Sequence, residues 1–258
     1  MDLPVNRFKR RLKAGESQIG LWLTIPDPSV VEALAGAGFD WILLDTEHTP
    51  VEVSAVLPLL QAAGPYPTSC AVRPAVNDTA LIKRHLDQGA QTIILPYIQS
   101  RAEAEAAVDA VRYAPAGLRG VAGTMRAAAY GRIRDYVKRA EAELCLVLQV
   151  ESALALDRLE EIATTPGVDG IFIGPSDLAA SLGHPGESGH PAVRAAVLDA
   201  IARLGKLGMP SGILTLDPAF ARACMAAGTG FTAVGLDMAM LVGAADRLAA
   251  DFGCGRAG

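Results

Sequence analysis

Short runs of bulky apolar residues recur along this chain. Between them lie longer Ala- and Leu-rich stretches whose polar residues return at helical spacing. The apolar runs predict strands at 18–24, 41–44, 69–73, 92–95, 144–150, 170–173, 210–213 and 232–235. The stretches between them predict helices at 29–37, 51–63, 79–87, 101–112, 153–164, 191–207, 218–227 and 239–251. Runs such as Trp41-Ile42-Leu43-Leu44 and Thr92-Ile93-Ile94-Leu95 are continuous rather than alternating, the pattern of parallel strands covered on both faces. Glycine punctuates the helix-to-strand joints at 37–40, 88–91 and 227–230. Eight strands alternating with eight helices predict a (β/α)8 barrel, in one domain spanning 1–258. Two long connections, 112–139 and 174–190, break the rhythm, and connections of that length in a compact domain carry function or move.

Composition narrows the class. With 258 residues, 51% hydrophobic, the chain can bury one large core, and ~250 residues suits a barrel. The chain is too apolar, with a net charge of only −5, for a disordered tail, and its mildly acidic balance without a long basic run argues against a nucleic-acid binder. No apolar run approaches the ~20 residues of a membrane span. The polar, basic start at Met1 to Lys13 has no apolar stretch of a secretory leader. Cys70, Cys145, Cys224 and Cys254 show no CxxC spacing, which fits a reducing, cytoplasmic setting.

A barrel carries its chemistry at the C-terminal ends of its strands. The second strand runs into Asp45-Thr46-Glu47-His48, the third ends at Arg73-Pro74, and the fifth runs into Gln149-Val150-Glu151-Ser152. The sixth leads to Gly174-Pro175-Ser176-Asp177 and the eighth to Gly235-Leu236-Asp237. An Asp after a strand is also the usual N-cap of the next helix, and that reading stays open for Asp177 and Asp237. Glu151 follows a wholly apolar run, so a lone charge there is costly. A divalent cation shared with Asp177 would balance it, and oxygen ligands suit Mg²⁺ or Mn²⁺; a salt bridge, for example to Arg73, is the plainer alternative. His48 is the one histidine beside an Asp at a strand top, so Asp45 is expected to fix its tautomer for general-base work. His85 falls in a helical pattern and reads as packing or surface; His184 and His190 lie in the Gly/Pro-rich connection after the sixth strand. Arg73 suits an oxyanion or carboxylate, or a rim ion pair.

None of the five lysines, Lys9, Lys13, Lys83, Lys138 and Lys206, ends a predicted strand, which disfavours an imine mechanism. The GxGxxG match at 253–258 ends the chain with no helix after it, so it is no dinucleotide site. Walker A, HExxH and GxSxG patterns are missing from the sequence.

These strings, with Gly89-Ala90-Gln91, Leu95-Pro96, Tyr113-Ala114-Pro115, Arg119-Gly120 and the run Gly170 to Leu178, resemble the HpcH/HpaI aldolases from about Gly20 to Leu248. The family contains metal-dependent pyruvate aldolases such as 4-hydroxy-2-oxoheptanedioate and 2-dehydro-3-deoxyglucarate aldolase. The resemblance implies a barrel of the phosphoenolpyruvate/pyruvate superfamily, with the C-terminal helix exchanged within a hexamer, a trimer of dimers. It implies a carbon–carbon lyase that cleaves a 4-hydroxy-2-oxo acid reversibly to pyruvate and an aldehyde through an enolate held at Mg²⁺, Mn²⁺ or Co²⁺, with no organic cofactor. Carried over by position, Glu151 and Asp177 are metal ligands; Arg73, Gln149, Leu214 and the backbone at Ser176 and Asp177 contact substrate; His48 with Asp45 is the base dyad; Asp87 serves a neighbouring subunit's site. Tyr97-Ile98-Gln99 departs from the family's Met-Val and small polar residue near the mouth. Rival readings are a malyl- or citramalyl-CoA lyase, for which no CoA-binding extension is evident, an oxaloacetate decarboxylase, and a non-catalytic metabolite-binding barrel.

Overall fold

The computed structural model describes residues 1–254; the predicted glycine motif at 253–258 falls mostly outside them. The chain opens with α1 (Arg7–Lys13), β1 (Gln18–Leu23), α2 (Pro28–Ala35), β2 (Trp41–Asp45), α3 (Val53–Ala63), β3 (Ser69–Arg73), α4 (Thr79–Asp87) and β4 (Thr92–Leu95). It continues with α5 (Arg101–Val111), α6 (Tyr136–Arg139), β5 (Cys145–Val150), α7 (Ala153–Asp157), α8 (Leu159–Ala163) and β6 (Gly170–Ile173). The last elements are α9 (Pro175–Ser181), α10 (Pro191–Lys206), β7 (Ser211–Leu214), α11 (Pro218–Ala226), β8 (Phe231–Leu236) and α12 (Asp237–Asp251). All eight strands pair in parallel with their sequence neighbours, and β8 pairs with β1 to close the barrel. The (β/α)8 barrel expected from the strand count is therefore the observed fold.

Continuous apolar strands are explained by two cores. Alternate residues of a strand face opposite ways. On β2, Trp41 and Leu43 join Trp22, Ala71, Ile94, Val147, Phe172 and Phe231 inside the barrel. Ile42 and Leu44 join the larger core between strands and helices. The interior aromatics need space opposite them: a Cβ on Gly212 would overlap the Phe231 ring.

Several features depart from the sequence expectation. The basic segment at Arg7–Lys13 is a helix, capped by Asn6, whose Phe8 and Leu12 plug the barrel at the N-terminal ends of the strands. The predicted helix 153–164 is two helices, α7 and α8. The connection 174–190 contains α9, begun by Pro175 at the first turn. Helices on the strands' C-terminal side start on aspartate caps: Asp27, Asp78 and Asp217 each accept two backbone amides. Cys70, Cys145 and Cys224 are half-buried or buried free thiols. Among the described residues no helix is long and apolar enough to cross a membrane.

Candidate active site

The strand pleat delivers the site. Leu43, Ala71, Val147 and Phe172 face the barrel interior. Two residues further along each strand, on the same face, stand Asp45, Arg73, Gln149 and Gly174; Glu151 is two beyond Gln149. Together with Trp22, Thr24, His48, Ser176, Asp177, Leu214 and others they line a cavity of about 470 Å³ at the mouth. Ser188 and Gly189 of the β6–α10 connection, and Arg194 of α10, form one wall. A larger cavity of about 870 Å³ opens at the other end, under the N-terminal segment. It gathers none of the predicted catalytic side chains.

Arg73 is the mouth's central cation. Its Nε and Nη2 donate to Asp45 Oδ1 and Oδ2 at 2.9 and 2.6 Å, a two-toothed bond set by the Asp45–Arg73 strand register. Its Nη1 lies 2.8 Å from Glu47 Oε2, and its guanidinium stacks over Trp22 at 4.8 Å. Burial pushes the Asp45 carboxyl up, but the bonds and charge of Arg73 outweigh it and leave it below the usual range. Burial raises Glu47; Arg73 and His48 work against it, while Asp45 and Asp177 add to it.

That arrangement leaves no direct hydrogen bond between His48 and Asp45 among the described residues. Both Asp45 oxygens are occupied by Arg73, the Trp22 indole and the Glu47 amide. His48 lies beyond the strand, 66% exposed, with Nε2 3.8 Å from Glu47 Oε2. The acid beside the histidine is Glu47, two residues past the end of β2.

Glu151 is the mouth's least compensated charge. It is 3% exposed. Its carboxylate accepts from Gln149 Nε2 and from the Tyr97 amide at 2.8 Å. Among the described residues no lysine or arginine forms an ion pair with it, and Arg73 is engaged with Asp45 and Glu47 instead. Burial carries its pKa up to about 7; the two hydrogen bonds oppose the rise, and Asp177 and Glu47 add to it. Gly174 keeps the space beside it open, since a Cβ there would overlap the Glu151 carboxylate. Gln149 Oε1 is buried without a hydrogen-bond partner among the described residues. Asp177 is exposed in the first turn of α9, and the cap of that helix is Gly174, so the capping reading does not hold for Asp177. A buried carboxylate lacking a cation, an open face beside it, an unpartnered amide oxygen and a second carboxylate nearby fit a hard divalent ion.

The remaining predicted residues divide. Leu214 and Ser176 line the mouth. Asp237 does not: it is buried at the start of α12 and accepts from the Thr24 and Ile25 amides and the Thr24 hydroxyl, tying β8 to β1. Asp87 ends α4, at the opposite end of the barrel, where it pairs with buried Arg119 at 2.8 Å. None of the five lysines lines the mouth. The residues unassigned from the sequence are Glu47, Trp22 and the Tyr97 amide. The alternation along β1 places Trp22 inside the barrel, whereas Glu47 lies beyond the end of β2. The third comes from backbone with a φ of 56° at Tyr97, which no sequence pattern marks.

The family model described as HpcH/HpaI aldolase/citrate lyase matches residues 18–244. The chain belongs to this family. The pyruvate aldolase of Rhizobium etli is 58% identical over 98% of this chain and 99% of its own. The 4-hydroxy-2-oxo-heptane-1,7-dioate aldolase of Shigella sonnei is 47% identical over 96% and 95%. The crystal structure of a family member from Burkholderia cenocepacia superposes with a TM-score of 0.92 at 41% identity, covering 96% of this chain and 99% of that one. This HpcH/HpaI protein is thus an aldolase, a carbon–carbon lyase of the phosphoenolpyruvate/pyruvate superfamily.

Proposed function

We propose that this chain is a divalent-metal-dependent aldolase that reversibly cleaves a 4-hydroxy-2-oxo acid to pyruvate and an aldehyde. The observation that carries the reading is Glu151: a carboxylate buried at the barrel mouth, beside Asp177, with no cationic partner among the described residues. These two side chains would hold Mg²⁺, Mn²⁺ or Co²⁺. When bound, such an ion supplies Lewis-acid polarisation of the keto oxygen.

The protein's own groups do the rest. Arg73, fixed by Asp45 and Glu47, keeps positive charge where the C2 oxygen becomes negative. Gln149 offers polar atoms to the pyruvyl end, and the amides at Ser176 and Asp177 receive its carboxylate at the start of α9. His48, exposed to the mouth and next to Glu47, takes the 4-hydroxyl proton as C3–C4 breaks. Leu214 and the Leu216 side of the cavity limit the aldehyde end.

The assembly enters the same proposal. Asp87 lies at the far end of its own barrel, so it reaches a mouth only from a neighbouring copy. The family resemblance implies a homohexamer, and the exposed Met238, Met240, Leu241 and Val242 of α12 support an exchanged helix.

The test is pyruvate release over a panel of 4-hydroxy-2-oxo acids, with chelator-treated and metal-restored protein. Activity should vanish on chelation and return with Mn²⁺, Co²⁺ or Mg²⁺. His48→Ala should lose about 10²–10⁴-fold in rate while still binding metal. Full turnover in excess chelator overturns the metal role, and an unchanged His48→Ala rate removes that residue from the mechanism.

A further inference from the structure

The β6–α10 connection holds a group of side chains that the aldolase reaction does not use. His184, Glu187 and His190 are spaced three apart. The Glu187 amide donates to the His184 carbonyl at 3.0 Å, and the His190 amide donates to the Glu187 carbonyl at 2.8 Å. Two successive tight turns therefore stack the three side chains on one side of the loop. The two imidazole rings lie face to face, with centroids 3.6 Å apart and planes 17° from parallel. One ligand atom from each of the three residues lies within 4.8 Å of the others. Among the described residues this is the one His/Cys/Asp/Glu group of three or more with that convergence.

We propose that His184, Glu187 and His190 form a separate divalent transition-metal site, distinct from the Glu151–Asp177 pair. Bonds of about 2.1 Å hold opposite ligand atoms at most ~4.2 Å apart, and stacked rings aim their nitrogen lone pairs into separate planes, so both imidazoles must swing out of the present stack to share an ion. Two imidazole nitrogens and one carboxylate suit Zn²⁺, Ni²⁺ or Cu²⁺ and not Mg²⁺, whose preference is for oxygen. Three protein ligands leave a position for water.

Two opposing effects set the strength. His190 Nδ1 now accepts the Ala192 amide at 3.2 Å and caps α10. That bond is the competitor for His190, because a ring nitrogen that accepts an amide fixes the tautomer of the other. The positive end of α10 also disfavours a cation, and the Glu187 carboxylate offsets it. The consequence lies next door: Ser188 and Gly189, inside the same loop, form a wall of the mouth cavity, so an ion here pins that wall.

The experiment is equilibrium dialysis of tag-free, metal-stripped full-length protein against ZnCl₂, NiCl₂ or MgCl₂ at micromolar free metal. Wild type should bind one more Zn²⁺ or Ni²⁺ per chain than Mg²⁺. His184→Ala should lose that extra ion, or bind it at least ~10-fold more weakly, while Mg²⁺ binding persists. His190→Asn, which retains a capping oxygen, should behave the same way while keeping the fold. Glu151→Gln should lose Mg²⁺ and keep the extra Zn²⁺; that variant separates failure of the mouth site from failure of this one. Equal Zn²⁺ and Mg²⁺ stoichiometry in wild type, or an extra Zn²⁺ that survives both histidine variants, overturns the proposal.

Discussion

At the scale of single residues, the mouth is defined as much by what is left out as by what is present. Gly174 contributes no side chain, and that is its role: any Cβ would overlap the Glu151 carboxylate. Gly174→Ala should therefore keep the barrel but reduce aldol turnover by about 10²-fold or more, the cost of misplacing a reacting group by an ångström. Circular dichroism with a pyruvate-release assay checks both halves; wild-type turnover would show that Glu151 needs no such space. His85 is the opposite kind of residue, fully buried in α4 with both ring nitrogens unpartnered. Burial, with a contribution from the Arg84 charge, lowers its pKa to about 4. The unfolded chain takes up this proton near pH 6.5, whereas the fold refuses it until about pH 4. The unfolded state thus binds more protons between those values, and the His85 contribution to stability is lost as pH falls through that window. From pH 7 to pH 5 the loss should be about 2 kcal/mol, and His85→Leu should remove it. Urea unfolding of both proteins at the two pH values measures the difference, which cancels the opposite slope from Glu151. Equal slopes would refute it. At this scale the sequence marks Asp45, His48, Arg73, Glu151 and Asp177, since each follows or ends an apolar run; Gln149 is marked only by the family resemblance. It could not show how they pair, because Arg73 sits opposite Asp45 through strand register and so draws that carboxylate away from His48.

At the scale of elements, hydrophobic rhythm found the eight strands within one or two residues, because parallel strands covered on both faces are apolar throughout. It missed α1, whose seven residues carry five basic side chains and show only Phe8 and Leu12 as core anchors. Those two residues nevertheless close the barrel floor: Phe8 packs edge-on against Trp41 and Phe231, with centroids 5.7 and 5.3 Å away. Asn6 ties the helix start to the rest by donating to Thr92 Oγ1 and two carbonyls. Phe8→Ala should cost about 3–5 kcal/mol, the range for an aromatic removed from a close-packed core. Denaturant midpoints would show it, and a loss below 1 kcal/mol would mean that α1 only covers the floor. The connection 174–190 stands out in the sequence by its length and by Ser176, Asp177, His184 and His190 within it. The proline that starts α9 and the turns that stack His184 with His190 are local, side-chain-driven structure without apolar periodicity, so rhythm could not reveal them.

At the scale of the whole molecule, the barrel separates two ends with different work. The end at the strands' C-termini collects acids around one arginine; the other end is sealed by α1. Two features bear on assembly. α12 buries only Asp237 along its length and leaves Met238, Met240, Leu241, Val242 and Leu248 exposed. A row of exposed large apolar residues on one helix is unfavourable in water at ~25 cal/mol per Å², and the expected exchange of this helix between copies would cover it. Asp87 is remote from its own mouth, yet its position in the family resemblance belongs to a site. Both features are met if copies associate so that α12 of one chain is covered by its neighbour. Wild type should then sediment well above single-chain mass. Leu241→Glu with Val242→Glu places two charges in that contact and should shift the protein towards smaller species, because unpaired charges are not buried without large cost. If Asp87 serves a neighbouring mouth, the same double variant should lose pyruvate release in proportion to the dissociated fraction while its circular dichroism stays that of the wild type. Wild type at single-chain mass with full activity would remove both the exchanged helix and the shared site, and would leave the mouth of one barrel to carry the whole reaction.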